Sequence, residues 1–459
     1  MSKHKQDTIV AFLKNYGFVF ANSEIYGGLA NAWDYGPLGV LLKNNIKALW
    51  WKEFVTKIHN SVGLDSAIIS NPKVWHASGH LAGFSDPLID CKDCKQRFRA
   101  DKIIEEFASN VSVTENTPLE TLNKIIKENN IKCPSCGSHN LTDVRKFNLM
   151  YKTFQGVTED ATTTLYLRPE TCQSIFVDFN QILRTSRQKL PFSVCQIGKS
   201  FRNEITPGNF IFRTREFEQA EIEYFTYEKD AMNDFDMWLE REKHFLFDVV
   251  GIKKENVEEK EVPKDELAHY SKKTVDLLYN FPQGMSELWG LAHRGTHDLT
   301  AHINESGKEL NYVDPTNGSK VIPTVIEPSV GVDRLLYAII CDMYDVEKLA
   351  ENEEREVLRL PIALAPYKFA VLPLSNKLEL QAYKIYSSIV SKGISCVFDA
   401  SGSIGKRYRR QDAVGTPYCI TFDFDSVDKR TITIRERDSM RQETINIDDL
   451  EQYVINKTL

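Results

Sequence analysis

The sequence predicts an α/β chain of α+β type, with a larger domain over residues 1–361 and a smaller mixed α/β domain over 362–459. Three observations carry that expectation. The stretch from Phe192 to Phe225 reads as two β-strands joined by a turn at Thr206-Pro207-Gly208-Asn209. The stretch from Ile322 to Leu335 reads as strand, turn, then helix, and Leu335, Leu336, Ile339 and Ile340 form its buried stripe. From Ile362 onward, the strand-like runs Phe369–Leu374 and Cys396–Asp399 alternate with a helical segment over 377–392.

Composition sets the bounds. The 459 residues are 42% hydrophobic and 26% charged, as in an ordinary soluble protein. A formal net charge of -7 provides no general attraction for nucleic acid, so any RNA contact must come from local basic patches. No run approaches the roughly 18 apolar residues of a membrane span. The opening Met1-Ser2-Lys3-His4-Lys5-Gln6-Asp7 lacks the apolar core of a signal peptide. A cytoplasmic protein without a membrane partner is therefore expected. In a reducing compartment, nine cysteines point to metal binding or free thiols, not to a disulfide framework.

Taken in order, residues 7–60 read as mostly helical, interrupted by a loop from Gly27 to Gly39. Cys91-Lys92-Asp93-Cys94 and Cys133-Pro134-Ser135-Cys136-Gly137 follow, two CxxC knuckles that together complete a tetrahedral zinc site. Four thiolates leave no open position, so such a site is structural. Four unpaired thiols, or His139 in place of one ligand, are the other readings. The polar segment between the knuckles, 101–132, reads as helical, within an insertion over 85–150. Residues 228–250 read as a charge-laced helix and 251–280 as a connection with further helix. The spacing of His293, His297 and His302 provides no reason for a metal.

The hairpin has an unusual polar face. Gln196, Gly198, Ser200, Arg202 and Glu204 share one side of its first strand, and Phe217, Gln219, Glu221 and Glu223 one side of its second. Small residues, an aromatic ring and charges of both signs suit a floor lined for a polar ligand. An exposed hairpin with a solvated charged face has the same periodicity. The wording separates the two readings. Phe201-Arg202-Asn203-Glu204 with Phe212-Arg213-Thr214-Arg215-Glu216-Phe217 resembles motif 2 of the class II aminoacyl-tRNA synthetases, and Arg213 to Glu221 resembles its form in the dimeric glycyl-tRNA synthetases. Adenylate chemistry needs a fixed cation on the α-phosphate, which the bidentate fork of Arg provides, and an aromatic face for adenine.

The same resemblance continues along nearly the whole chain. Asn31-Ala32-Trp33-Asp34-Tyr35-Gly36-Pro37-Leu38-Gly39 and the helix after it resemble motif 1, which implies a homodimer; by itself this is an amphipathic helix that packs on its own domain. Leu167-Arg168-Pro169-Glu170-Thr171 resembles the family's segment holding the α-ammonium of the amino acid, with Cys172 and Ser174 departing from its usual alanine and glycine. Ser286-Glu287-Leu288-Trp289-Gly290 resembles the strand whose glutamate serves ATP and its Mg²⁺. Glu327-Pro328-Ser329-Val330-Gly331-Val332-Asp333-Arg334 resembles motif 3. The cluster Lys406, Arg407, Tyr408, Arg409 and Arg410 lies in a stretch resembling the anticodon-binding domain shared by several class II synthetases.

This resemblance implies a class II catalytic domain built on an antiparallel sheet flanked by helices, with an anticodon-binding domain after it. It implies glycine activation with ATP and Mg²⁺, then transfer to the tRNA for glycine, with structural Zn²⁺. Arg202, Arg334 and Glu287 would be catalytic. ATP would also meet Asn203, Glu204, Phe212, Arg213, Thr214, Arg215, Glu216, Phe217, Leu288, Gly331, Val332 and Asp333. Glycine would meet Arg99, Glu170, Phe217, Glu218, Gln219, Ala220, Glu221, Glu327, Pro328, Ser329, Val330 and Gly331. Zinc would take Cys91, Cys94, Cys133 and Cys136, and the basic cluster would contact tRNA. The alternatives are a non-catalytic relative that binds nucleic acid, or a synthetase for alanine, serine or threonine.

Overall fold

The computed structural model describes residues 3–108, 111, 113–114, 117–350 and 353–458. Its main sheet has seven strands. These are β1 (Ser61–Gly63), β2 (Phe192–Phe201), β3 (Glu216–Thr226), β4 (Val257–Glu261), β5 (Lys273–Phe281), β6 (Gly284–Gly295) and β7 (Thr324–Gly331). Their spatial order is β4-β5-β6-β7-β3-β2-β1. Neighbours are antiparallel except β1, which runs parallel to β2.

The sheet forms because its strands alternate. On β5, Val275, Leu277, Tyr279 and Phe281 are buried on the back, leaving Thr274 and Asp276 on the front. Helix α1 (Pro37–Trp51), α2 (Ala231–His244) and α3 (Val332–Met343) cover the back through Leu42, Ile46, Trp50, Phe235, Trp238 and Leu336. Pro37 stands at the first position of α1, where no intrahelical N–H is needed. On the front, the helix Cys172–Val177 and its neighbours close one end of the sheet around Phe176, Phe179, Phe192 and Phe225. The rest of the front stays open.

Two expectations change here. The stretch Gly27–Gly39 is not one loop: Trp33–Tyr35 pairs with Val19–Ala21, and α1 begins at Pro37. The connection 251–280 contains β4 and β5, with helix limited to one 3₁₀ turn at Lys254–Asn256. β4 is an edge strand with largely exposed charges, so its sequence carries no apolar alternation; that of β5 was there to be read.

Within the insertion, Ser85–Asp90 pairs with Arg97–Arg99 and Arg145–Asn148, next to helices Ala100–Phe107 and Leu119–Glu128. A hairpin, Tyr344–Ala350 with Glu353–Leu358, leads into the C-terminal part. There a five-stranded sheet is ordered β9-β8-β10-β11-β12, from β8 (Phe369–Pro373), β9 (Cys396–Phe398), β10 (Tyr418–Phe422), β11 (Thr431–Glu436) and β12 (Gln442–Asn446). β8 runs parallel to β9 and β10, and the remaining pairs are antiparallel.

Candidate active site

The open front of the main sheet holds a cleft of about 440 Å³. Register builds its floor. Glu221 lies opposite Gln196 on β2 and Ser329 on β7; Ser329 lies opposite Gly290 on β6, and Gly290 opposite Asp276 on β5. One row across five strands is therefore polar or small. The next row pairs Gln219 with Gly198 and Gly331. Gly198 has to be glycine, because a Cβ there would collide with the Arg168 guanidinium, which donates to the Lys199 carbonyl at 2.7 Å and the Ser66 carbonyl at 2.9 Å.

Two arginines stand over one half of this floor. Arg202 donates from Nε to the Pro169 carbonyl at 3.0 Å, and its guanidinium lies 5.4 Å from the Phe217 ring centroid. Arg334 lies 4.4 Å from the Phe212 ring centroid and donates to the Glu287 carbonyl at 2.8 Å. Burial, reinforced by the nearby cations Arg213 and Arg202, lowers the Arg334 pKa against the attraction of Glu287. Two clustered, partly dehydrated guanidinium groups create demand for an anion. The hairpin residues Glu204, Phe212, Arg213, Thr214 and Phe217 line the same space.

The other half is carboxylate-rich. Glu170 accepts from Gln173 Nε2 at 3.0 Å and Cys172 Sγ at 3.0 Å, and lies 3.3 Å from His80 Nε2. Burial would raise its pKa, but His80 and Arg294 hold it well below the usual carboxylate range. Glu221 accepts from the Thr171 backbone N–H and hydroxyl, from Gln219 Nε2 at 3.0 Å and from Ser329 Oγ at 2.9 Å. Glu327 accepts from Arg294 at 2.8 Å. Burial, reinforced by Glu221 and Glu170 and only partly opposed by Arg294, pushes the Glu327 carboxyl up to about 8. Such a recess favours a small cation.

Between the halves, Asp276 and Glu287 both face the gap left by the missing side chain of Gly290, at 3.4 and 4.0 Å from where its Cβ would lie. Burial and the Glu287 charge push Asp276 up to about 7.

Several expected site residues point elsewhere. Glu218 faces the back of the sheet, where it pairs with Lys43 at 2.8 Å and Lys47 at 3.1 Å, because it is one residue out of phase with Phe217 and Gln219. Ala220 and Val330 are core residues for the same reason, and Leu288, at the irregularity of β6, and Val332, at the start of α3, are buried in the core as well. Arg99 belongs to the insertion, held by Asp86 at 3.0 Å and Asp101 at 2.7 Å, and does not line the cleft. Asp333 ties the floor to α1, accepting from Tyr35, from Lys43 at 2.7 Å and from the Glu218 N–H at 2.7 Å. Arg215 and Glu216 line a second hollow beyond the hairpin, next to Lys199. Asn203 and Pro328 are not among the residues lining the cleft.

The structure also brings in groups that the motifs did not single out. Arg294 donates twice to Asp298, at 2.8 and 2.7 Å, while its guanidinium stacks 3.9 Å from the Tyr270 ring centroid. Gln173 joins Asp298 to His302. The spacing of Arg294 and Asp298 around a helix start was the available signal. His80, at the start of the short helix His80–Gly83, and Tyr270, in a turn, arrive from distant segments and had none.

Elsewhere, the four knuckle thiols converge, with Cys91 and Cys136 sulfurs 3.6 Å apart and Cys94 and Cys133 sulfurs 3.6 Å apart. In the C-terminal part, the cluster 406–410 lies on a helix, Ile404–Val414. Arg407 is buried and donates to the Gly402 and Asp399 carbonyls; the Tyr408 hydroxyl bonds Thr421. Both hold the domain together. Lys406, Arg409 and Arg410 line a shallow surface hollow, the two arginines also pairing with Glu353 and Asp399.

Comparison with known proteins agrees with this geometry. Residues 151–343 match the tRNA synthetase class II core domain (G, H, P, S and T), and residues 368–457 match an anticodon binding domain. Residues 86–117 and 110–149 match glycyl-tRNA synthetase insertion domain 1. The glycine–tRNA ligase of Malacoplasma penetrans is 60% identical over 98% of this chain and 97% of its own. That of Ureaplasma urealyticum is 58% identical over 98% and 96%, and that of Acetivibrio thermocellus 55% over 99% of both. With a class II core, that insertion and end-to-end identity at this level, the chain belongs to the glycine–tRNA ligase family of class II tRNA synthetases.

Proposed function

We propose that this protein joins glycine to ATP as glycyl-adenylate, releasing pyrophosphate, and then transfers the glycyl group to the terminal ribose of the tRNA for glycine. One observation carries the reading. A recess lined by Glu170, Glu221 and Glu327 opens directly beside two arginines laid on aromatic rings. Glycine has no side chain to grip, so its ammonium must be recognised by charge and any larger amino acid excluded by crowding. The three carboxylates and the Ser329 hydroxyl take the ammonium, which directs the glycine carboxylate toward the arginines.

A carboxylate oxygen of glycine then attacks the α-phosphorus, and the bond from that phosphorus to the bridging oxygen of pyrophosphate breaks. The attacking group is already ionised, so no general base is required. Arg202 holds the α-phosphate oxygens, Phe217 stacks on adenine, and Arg334 presses from the other side. Glu287 and Asp276 would hold Mg²⁺; their position on either side of the Gly290 gap fits a cation that takes one or two carboxylates, and when bound it neutralises phosphate charge.

Further parts of the reading rest on separate features. The thiol geometry fits Zn²⁺, since tetrahedral bonds of about 2.3 Å put sulfurs about 3.8 Å apart. An exposed apolar row, with Phe20 at 42%, Ile25 at 88%, Tyr26 at 86% and Leu29 at 64% exposure, supports a homodimer formed through the segment before α1. Lys406, Arg409 and Arg410 are the candidates for tRNA backbone contacts. We read the chain as a catalytic domain over 1–361 and an anticodon-binding domain over 362–459, in the cytoplasm.

ATP–pyrophosphate exchange without tRNA, comparing glycine with alanine and serine, tests the central claim. Exchange with glycine alone is expected. Exchange with alanine or serine would overturn the amino-acid assignment, and no exchange from folded protein that binds tRNA would favour a binding-only relative.

A further inference from the structure

Behind the ammonium recess sits a carboxyl group to which the reaction assigns no role. Glu223 lies on β3 two residues beyond Glu221, fully buried, and neither of its oxygens has a hydrogen-bond partner. Its neighbours differ. Glu221 has four donors, Glu327 has Arg294, and the N–H bonds of Arg294 go to Asp298 and Glu327. Cys172, Glu223 and Glu327 each bring one sulfur or oxygen within 4.8 Å of the others. The charged groups facing Glu223 are thus Glu327 from β7, Arg294 from β6, Glu221 from its own strand and Asp298 from the adjoining helix, beside the Cys172 thiol. A carboxylate without donors, away from water and among three other acids, is neutral. Burial raises its pKa well above the usual range, and Glu327 adds to this whenever it is ionised, in agreement. A neutral carboxyl then carries an O–H that itself needs an acceptor.

We propose that Glu223 is a positioning residue for substrate recognition, a neutral acid whose O–H donates to the rear of Glu327 and holds that carboxylate facing the substrate ammonium. The inference rests on the glycine reading above. An acid kept uncharged by an apolar site so that it can donate is a known device.

The test uses the full chain in glycine-dependent pyrophosphate exchange. Glu223→Gln keeps volume, neutrality and a donor, and its glycine KM should stay within about twofold of the wild type with the same pH profile. Glu223→Met keeps volume and loses the donor, and its glycine KM should rise about tenfold, with ATP KM unchanged. Equal losses in both variants would mean that Glu223 acts as a charge, and no loss in either would mean packing alone; each overturns the proposal. Infrared difference spectra of wild type against Glu223→Gln provide a second readout that does not depend on the methionine variant folding. At neutral pH the wild-type-minus-variant spectrum should contain the carbonyl band of one protonated carboxylic acid, and a difference spectrum without that band refutes the neutral acid. A wild type without glycine exchange would overturn the proposed function and this inference together, whereas an active wild type with the wrong variant pattern overturns this inference alone.

Discussion

Arg202 is the residue whose loss separates chemistry from folding. It is half-buried just past the end of β2, and its Nε donates to the Pro169 carbonyl while the rest of the guanidinium faces the cleft. Arg202→Ala should therefore lower glycine-dependent exchange by about 10²–10³-fold while leaving the melting temperature close to that of the wild type. Unchanged exchange would remove it from the phosphate site. Glu327 predicts the pH dependence. Its carboxyl, pushed up to about 8, must be ionised to hold an ammonium, so glycine KM should fall as pH rises from about 6.5 through 8. A flat glycine KM over that range, with ATP KM measured alongside, would show that Glu327 is ionised throughout. Arg202 and Glu327 could both be found from their motif wording, whereas Glu218 could not be excluded that way. Only the period-two alternation of β3 sends it to Lys43 and Lys47.

At the scale of elements, the hairpin β2–β3 is the frame of the site, and its polar face is legible in the amino-acid order alone. The register to β6 and β7 is not. That register aligns Gly290 with Ser329, and so opens the gap between Asp276 and Glu287. The cysteine knuckles, the proposed zinc site, behave differently because they close a separate sheet. Chelation, or Cys94→Ser, should release about one Zn²⁺ per chain and expose the insertion to protease, while the main sheet keeps its circular dichroism. Metal analysis that finds no zinc in the folded protein would reject the four-thiol site. Four cysteines spaced in pairs announce themselves in a sequence; the three-stranded sheet around them does not, because its strands are three to six residues long and widely separated.

Across the whole molecule, a buried ion cluster joins the linking hairpin to the C-terminal part. Arg355, with a fully buried side chain, pairs with Glu347 at 2.6 Å and Asp412 at 3.2 Å, and Asp412 also takes Arg435 at 2.8 Å. Removing one partner leaves another charge buried and short of a partner. Arg355→Met should cost about 3 kcal/mol of stability, read as a lower denaturant midpoint and faster proteolysis between 344 and 418, with exchange activity at low temperature retained. A variant as stable as the wild type would mean that the cluster is replaceable by apolar packing.

What the sequence determined by itself is the family-level plan: the two-strand floor, the strand-to-helix turn carrying Arg334, the paired cysteines and the α/β alternation near the C-terminus. Each depends on neighbours within about a dozen residues, where periodicity and turn chemistry act. Tertiary structure alone decided which side chains share the recess. Glu170, Glu221, Arg294 and Glu327 come from four separate segments, and Glu223 becomes an unpartnered acid only once β7 and the helix Cys172–Val177 close over it. Burial and charge proximity are properties of the packed chain, and no local pattern encodes them.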